Sequence, residues 1–226
     1  MQAMKSMNEI LYQVSVYSVL VPLIAGLAIF KKLDMNSRTI LLLLLFASIP
    51  QLVSFHPVKE VRDTCFNIYN IADAIIWGYL FFRNSKNKAI RKSIAIIISL
   101  QVMTEVWILA KAGIQTRFYT EFVCLSSLLQ ALWVLCFFYE RYKREEIQAL
   151  EEEPMFWFCL GILIYAPATY FRFAFYQSMR DTDYGLKSLH HLLNTGMYLI
   201  FTVGILANVS AIFFDSWSNT LLGMHL

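Results

Sequence analysis

The chain has 226 residues, of which 58% are hydrophobic and only 15% charged, and its formal net charge is +3. A soluble domain carries about a quarter charged residues on its wetted surface, so this composition excludes an ordinary soluble fold. The small net charge, with no basic segment away from an apolar flank, also argues against nucleic-acid binding.

Apolar blocks follow one another near 9–30, 39–56, 66–82, 93–111, 120–139, 155–176 and 186–210. Each approaches the length of about 20 residues that a helix needs to cross a hydrocarbon core about 30 Å thick. Each must be helical, because lipid offers no partner to free backbone N–H and C=O groups. The expectation is an all-α, polytopic membrane protein: one domain, a bundle of seven transmembrane helices. The first block reads as a retained span, being longer than a signal h-region and ending on Lys31-Lys32 without a small-residue cleavage site.

The loops give a direction. Those after spans 1, 3 and 5 carry eleven Lys and Arg residues, against seven on the opposite side. The positive-inside rule then predicts an N-terminus outside and a C-terminus in the cytoplasm. The segment 140–154, ERYKREEIQALEEEP, is expected to prolong span 5 as a charged cytoplasmic helix. Pro50 and Pro167 fall inside apolar segments and should kink spans 2 and 6. They occupy the middle helix of each outer triplet, a layout compatible with the three-plus-one-plus-three repeats of some transporters.

Ionisable groups inside spans are costly and by default mark an interior site. Here they are Asp73 in span 3, Glu105 in span 4, Arg172 in span 6, and His190 with His191 in span 7. Gln51, Asn67, Asn70, Gln101, Ser127, Gln130 and Asn194 accompany them. Helical spacing places Asn70, Asp73 and Trp77 on one face, Gln101 with Glu105, and Ser126 with Gln130. Tyr165, Thr169, Arg172 and Tyr176 share another face, as do His191, Asn194 and Tyr198. The ionisable groups all lie roughly 6–11 Å below the outer surface at about 1.5 Å per residue, and Gln51 falls at a similar level. The expected ligand site is therefore an outward-facing pocket built from Asp73, Glu105, Arg172, His190, His191, Asn194, Gln51 and Asn70.

Known membrane chemistries fit unevenly. A retinal Schiff base needs a lysine within span 7, and Lys187 lies only at its outer edge. Alkaline ceramidases and adiponectin receptors gather His, Asp and an HxxxH pair around zinc; this chain offers His56, Asp73 and His191, but Lys187 stands where the second histidine belongs. Cys65, Cys124, Cys136 and Cys159 are scattered singly, without metal or redox spacing. No cofactor is called for. The Pro50-Gln51 dipeptide is similar to the signature of PQ-loop carriers, without a second copy.

Three stretches, FNIYNIADAIIWGYLFF (66–82), MFWFCLGILIYAPATYFRFAFY (155–176) and LHHLLNTGMYLIFTVGILA (189–207), resemble small, largely uncharacterised seven-span inner-membrane proteins of Bacteroidota. Asp73 takes the place of a glutamate in that pattern. The resemblance implies a multi-pass inner-membrane protein with an accessory role, in some cases linked to signalling, and supplies no activity. The leading expectation is a sensory or accessory protein, more a binder than an enzyme, whose partners are the bilayer, a small-molecule or lipid ligand, or another membrane protein. A proton-coupled carrier is the alternative, and a zinc-dependent hydrolase the third.

Overall fold

The computed structural model describes residues 2–115, 117–143, 150–175 and 184–223. Its helices are α1 (Gln2–Ser18), α2 (Leu20–Ala28), α3 (Met35–Val53), α4 (Lys59–Asn84), α5 (Lys88–Ala112), α6 (Thr120–Lys143), α7 (Pro154–Ala174) and α8 (Tyr184–Gly223). Seven segments are long and apolar enough to cross a membrane: Met7–Ala28, Met35–Val53, Lys59–Asn84, Lys88–Ala112, Thr120–Lys143, Pro154–Ala174 and Lys187–Val209. The chain is thus a seven-span membrane protein.

Helix ends are set by side-chain chemistry rather than by hydropathy. Asp34 caps α3 by accepting from the Ser37 N–H at 2.8 Å, so the helix starts four residues before the apolar block. Asn87 does the same for α5, accepting from the Ala89 N–H at 2.9 Å. The first span is interrupted at Val19, between α1 and α2. Pro22 explains the break: it has no N–H to return to the Ser18 carbonyl. Pro50 and Pro167 instead sit within continuous α3 and α7. Of the charged segment expected to prolong span 5, α6 runs on to Lys143 and a 3-10 turn spans Leu150–Glu152, while residues 144–149 lie outside the described ones. Arg141 of α6 pairs with Glu153 across this connection.

Two helices act as hubs. α8 packs on α1, α2 and α7, while α4 packs on α3, α5 and α6. α5 is the most lipid-facing span, its apolar window only 22% buried. The half of the bundle away from the N-terminus is filled solid by Ile40, Leu44, Trp77, Leu80, Phe81, Val134, Phe158, Phe201 and Ile205. There α7 and α8 interlock reciprocally. Gly161 of α7 lies under the Phe201 ring, and Gly204 of α8 lies under the Phe158 ring. The two rings meet edge to face at 5.5 Å. Small residues matter here because close backbone approach and packing drive helix association in lipid.

Polar staples hold both ends. Asn208 of α8 accepts from the Asp34 N–H at 2.9 Å and donates to Ser37 Oγ at 2.9 Å, fixing the start of α3. At the opposite end Asn67 donates to the Ile114 and Arg117 carbonyls, each at 2.9 Å, and accepts from the Tyr119 N–H, so it folds the α5–α6 connection onto α4.

A Cβ at Gly204 would fall 2.9 Å from both the Phe158 ring and Trp157 Cβ. Gly204→Leu should therefore destabilise the bundle by about 1–3 kcal/mol through overpacking. Gly196→Ala should be neutral or stabilising, since its added carbon meets nothing within 4 Å. Melting of the two variants in one detergent checks the contrast.

Candidate functional site

At the N-terminal end of the bundle the solid packing gives way to a cavity of about 500 Å³. Its wall takes Tyr12 and Ser15 from α1, Gln51 from α3, and Arg62, Asp63, Tyr69 and Asn70 from α4. From α7 come Tyr165, Arg172 and Phe173, and from α8 His190, His191, Asn194 and Tyr198. A smaller chamber of about 70 Å³ adjoins it on the inner side, sharing the walls of Tyr69, Asn70, Tyr165 and Tyr198. That chamber adds Asp73, Ser126, Ser127, Gln130 and Thr169, and is floored by Trp77 and Phe201. The larger volume falls in the range usual for small-molecule sites, about 300–1,000 Å³.

The local geometry follows from which neighbour each helix face meets. Asn194 of α8 donates to Ser15 Oγ at 2.8 Å, tying the cavity's α8 wall to α1. Tyr12 donates to Ser54 Oγ at 2.7 Å, and Ser54 in turn donates to the Gln51 carbonyl at 2.5 Å, so α1 also braces the end of α3. The adjacent histidines splay onto different neighbours. His190 lies against Tyr165 and Phe173, with ring centroids at 5.4 and 6.0 Å, whereas His191 faces Tyr12 at 5.3 Å. Both are buried and both border the cavity. Arg172 lies over the ring of its neighbour Phe173 at 5.2 Å. Arg62 donates to the His56 carbonyl at 2.6 Å, and Lys59 lies 4.0 Å from Asp63.

Asp73 sits half-buried in the inner chamber. Its two oxygens accept from different helices: Gln130 Nε2 of α6 at 2.6 Å and Tyr69 OH of α4 at 3.3 Å. Among the described residues no cation pairs with it.

Seven of the eight expected residues therefore border these two spaces: Asp73, Arg172, His190, His191, Asn194, Gln51 and Asn70. Glu105 does not. It is buried on α5, accepting from Gln101 Nε2 of the same helix at 2.8 Å, while that nitrogen lies 2.6 Å from Ser126 Oγ of α6. Ser126 stands between Glu105 and the chamber. α5 lies on the lipid-facing side of the bundle and packs on α4, touching α6 through the Gln101–Ser126 bond, so Glu105 does not reach the cavity wall. Tyr176, expected on the Arg172 face, lies outside the described residues. His56 stands exposed beyond α3, and among the described residues no three His, Cys, Asp or Glu side chains gather closely enough to hold a metal ion.

Tyr12, Ser15, Arg62, Asp63 and Tyr69 are lining residues that span-by-span reading passes over. A signal for them exists. Tyr12 and Ser15 belong to a polar stripe of span 1, while Asp63, Asn67 and Asn70 stand at i, i+4 and i+7 along α4, and Arg62, Phe66, Tyr69 and Asp73 at i, i+4, i+7 and i+11. The expected third span begins near residue 66, whereas α4 begins at Lys59 and so includes Arg62 and Asp63.

Fold and site together define a seven-span membrane protein with a polar cavity set into one end of its bundle. Compared with known protein families, with curated proteins and with solved structures, the chain finds no match.

Gln130→Leu removes a donor from Asp73 and should lower stability by about 1–2 kcal/mol, the upper part of the range for interhelical hydrogen bonds in lipid. Adding Asp73→Leu should cost less than the sum of the two single changes, because it removes the orphaned acceptor. A double-mutant cycle on detergent melting reads this coupling.

Proposed function

We propose that this protein binds a small ligand in the cavity at the N-terminal end of its bundle and acts as a sensory or accessory protein of a bacterial inner membrane. One observation carries the reading: five helices contribute polar side chains to a single space of about 500 Å³, while the other half of the same bundle holds only a crevice of about 10 Å³. In a lipid environment such groups are retained at a cost, and gathering them around one volume is the arrangement a binding site requires. The excess of Lys and Arg in the loops after α2, α4 and α6 supports an outside position for the cavity and a cytoplasmic face for those loops. Ligand arrival from outside would then be felt by helices whose far ends face the cytoplasm.

A carrier is the second reading, favoured by the position of the prolines. Pro167 lies between the lining residues Tyr165 and Thr169, and Pro50 precedes the lining residue Gln51. Interrupted backbone hydrogen bonding beside a polar site is a common feature of transporters.

Two measurements test these readings. In a background with the four cysteines replaced, His56→Cys should react with a membrane-impermeant maleimide on intact cells and Lys88→Cys should not; the reverse pattern inverts the topology. The purified protein should be stabilised by compounds that enter the cavity, and Asn194→Leu should weaken that stabilisation by about tenfold in apparent affinity, a typical cost for one buried polar contact. Solute flux in proteoliposomes that Asp73→Asn abolishes would replace sensing with transport.

A further inference from the structure

We infer that the cavity takes a ligand bearing a primary ammonium group, which seats innermost on Asp73 within a ring of aromatic side chains. The inference rests on the cavity being a ligand site and names the chemistry of what fills it.

Three independent features converge on the inner chamber. The first is the carboxyl group itself. Asp73 receives two hydrogen bonds, from Gln130 and Tyr69, whereas a carboxylate has room for about four. Among the described residues nothing cationic approaches it, so its counter-charge is left to be supplied from the chamber it borders. The second is the wall. Tyr69, Trp77, Tyr165, Tyr198 and Phe201 surround the same space, and Trp77 and Tyr198 lie 6.1 and 6.3 Å from the Phe201 ring centroid. Aromatic faces attract a cation through their quadrupole, most strongly where water is excluded. A carboxylate ringed by aromatic faces favours an ammonium over an alcohol, and an alcohol over an anion.

The third feature is the set of polar groups left without partners. Thr169 Oγ1 and Asn70 Nδ2 are buried, border the chamber, and have no hydrogen-bond partner. An ammonium has three donors, and the Thr169 hydroxyl and an Asp73 oxygen can each accept one. Asn70 offers either end of its amide, since its oxygen and nitrogen exchange by a simple flip. The positive groups of the cavity lie at the other end. Arg172 is three residues beyond Thr169 on α7, about one helical turn further from the floor, and Arg62 is eleven residues before Asp73 on α4. Arg62 and Arg172 thus stand toward the mouth, with Asp63 beside Arg62, while Asp73 is the charged group of the inner chamber.

The test uses three compounds of one skeleton: 2-phenylethylamine, 2-phenylethanol and 3-phenylpropionate. Binding to the purified full-length protein in detergent is read by calorimetry and by melting. The amine should bind at least about tenfold more tightly than either counterpart. Asp73→Asn should erase that preference, and Asp73→Glu, which keeps the charge, should retain most of it. Melting without ligand shows that each variant is folded; if Asp73→Asn does not fold, the preference of the wild type and of Asp73→Glu decides alone. Equal or tighter binding of the alcohol or the carboxylate overturns the amine assignment while leaving the cavity a ligand site. An amine preference that survives in folded Asp73→Asn overturns the role of Asp73. Failure of all three compounds to bind counts against both the assignment and the binding function beneath it.

Discussion

Lipid gives a polar side chain nothing to bond to, so a polar group inside this bundle is costly unless another part of the chain answers it. That constraint explains why so few contacts organise so much structure. Asn208 holds the start of α3, Asn67 folds the α5–α6 connection onto α4, and Asn194 ties α8 to α1. Each asparagine is buried, and each joins elements far apart in sequence. Apolar packing alone distinguishes poorly among helix arrangements in lipid, because tails and side chains are equally greasy. The amides pick one arrangement out of many.

The same constraint divides the molecule in two. In one half interlocking rings and glycines leave only a crevice of about 10 Å³, and in the other the polar groups border a shared volume of about 500 Å³. Asn70 and Thr169 are the clearest sign of this division, since each could have been an alanine or leucine if the space beside it were meant to stay closed. Buried groups without partners are rare in native proteins, so their presence beside an open volume sets this half apart.

Much of the fold was legible in the sequence. Seven apolar blocks became seven spans, because bilayer thickness sets a length that no soluble element imitates. The boundaries were less legible. A hydropathy window sees where apolar residues begin, but α3 and α5 start where Asp34 and Asn87 turn the chain, and α4 starts on the charged turn Lys59–Asp63. Helical spacing correctly grouped Asn70 with Asp73, and His191 with Asn194, since both pairs line the polar spaces. Glu105 marks where such reasoning ends. Its depth and its burial were readable, but depth does not say which helix stands opposite, and α5 packs on α4 with Glu105 bonded to Gln101 of its own helix. Which helices are neighbours is decided by packing across the whole bundle, and no single span encodes it.

One consequence follows from the course of α8. It runs without interruption from the histidines at the cavity to Asn208, which grips the first turn of α3 at the far end. From Asn194 to Asn208 this is a rod about 21 Å long at 1.5 Å per residue. No proline breaks it, and it is moored at both ends by an amide. The cavity wall and the Asp34 turn, which adjoins the basic segment Lys31-Lys32, are therefore joined through one continuous helix. A single unbroken element thus sets the spacing between the polar cavity and the turn that opens α3.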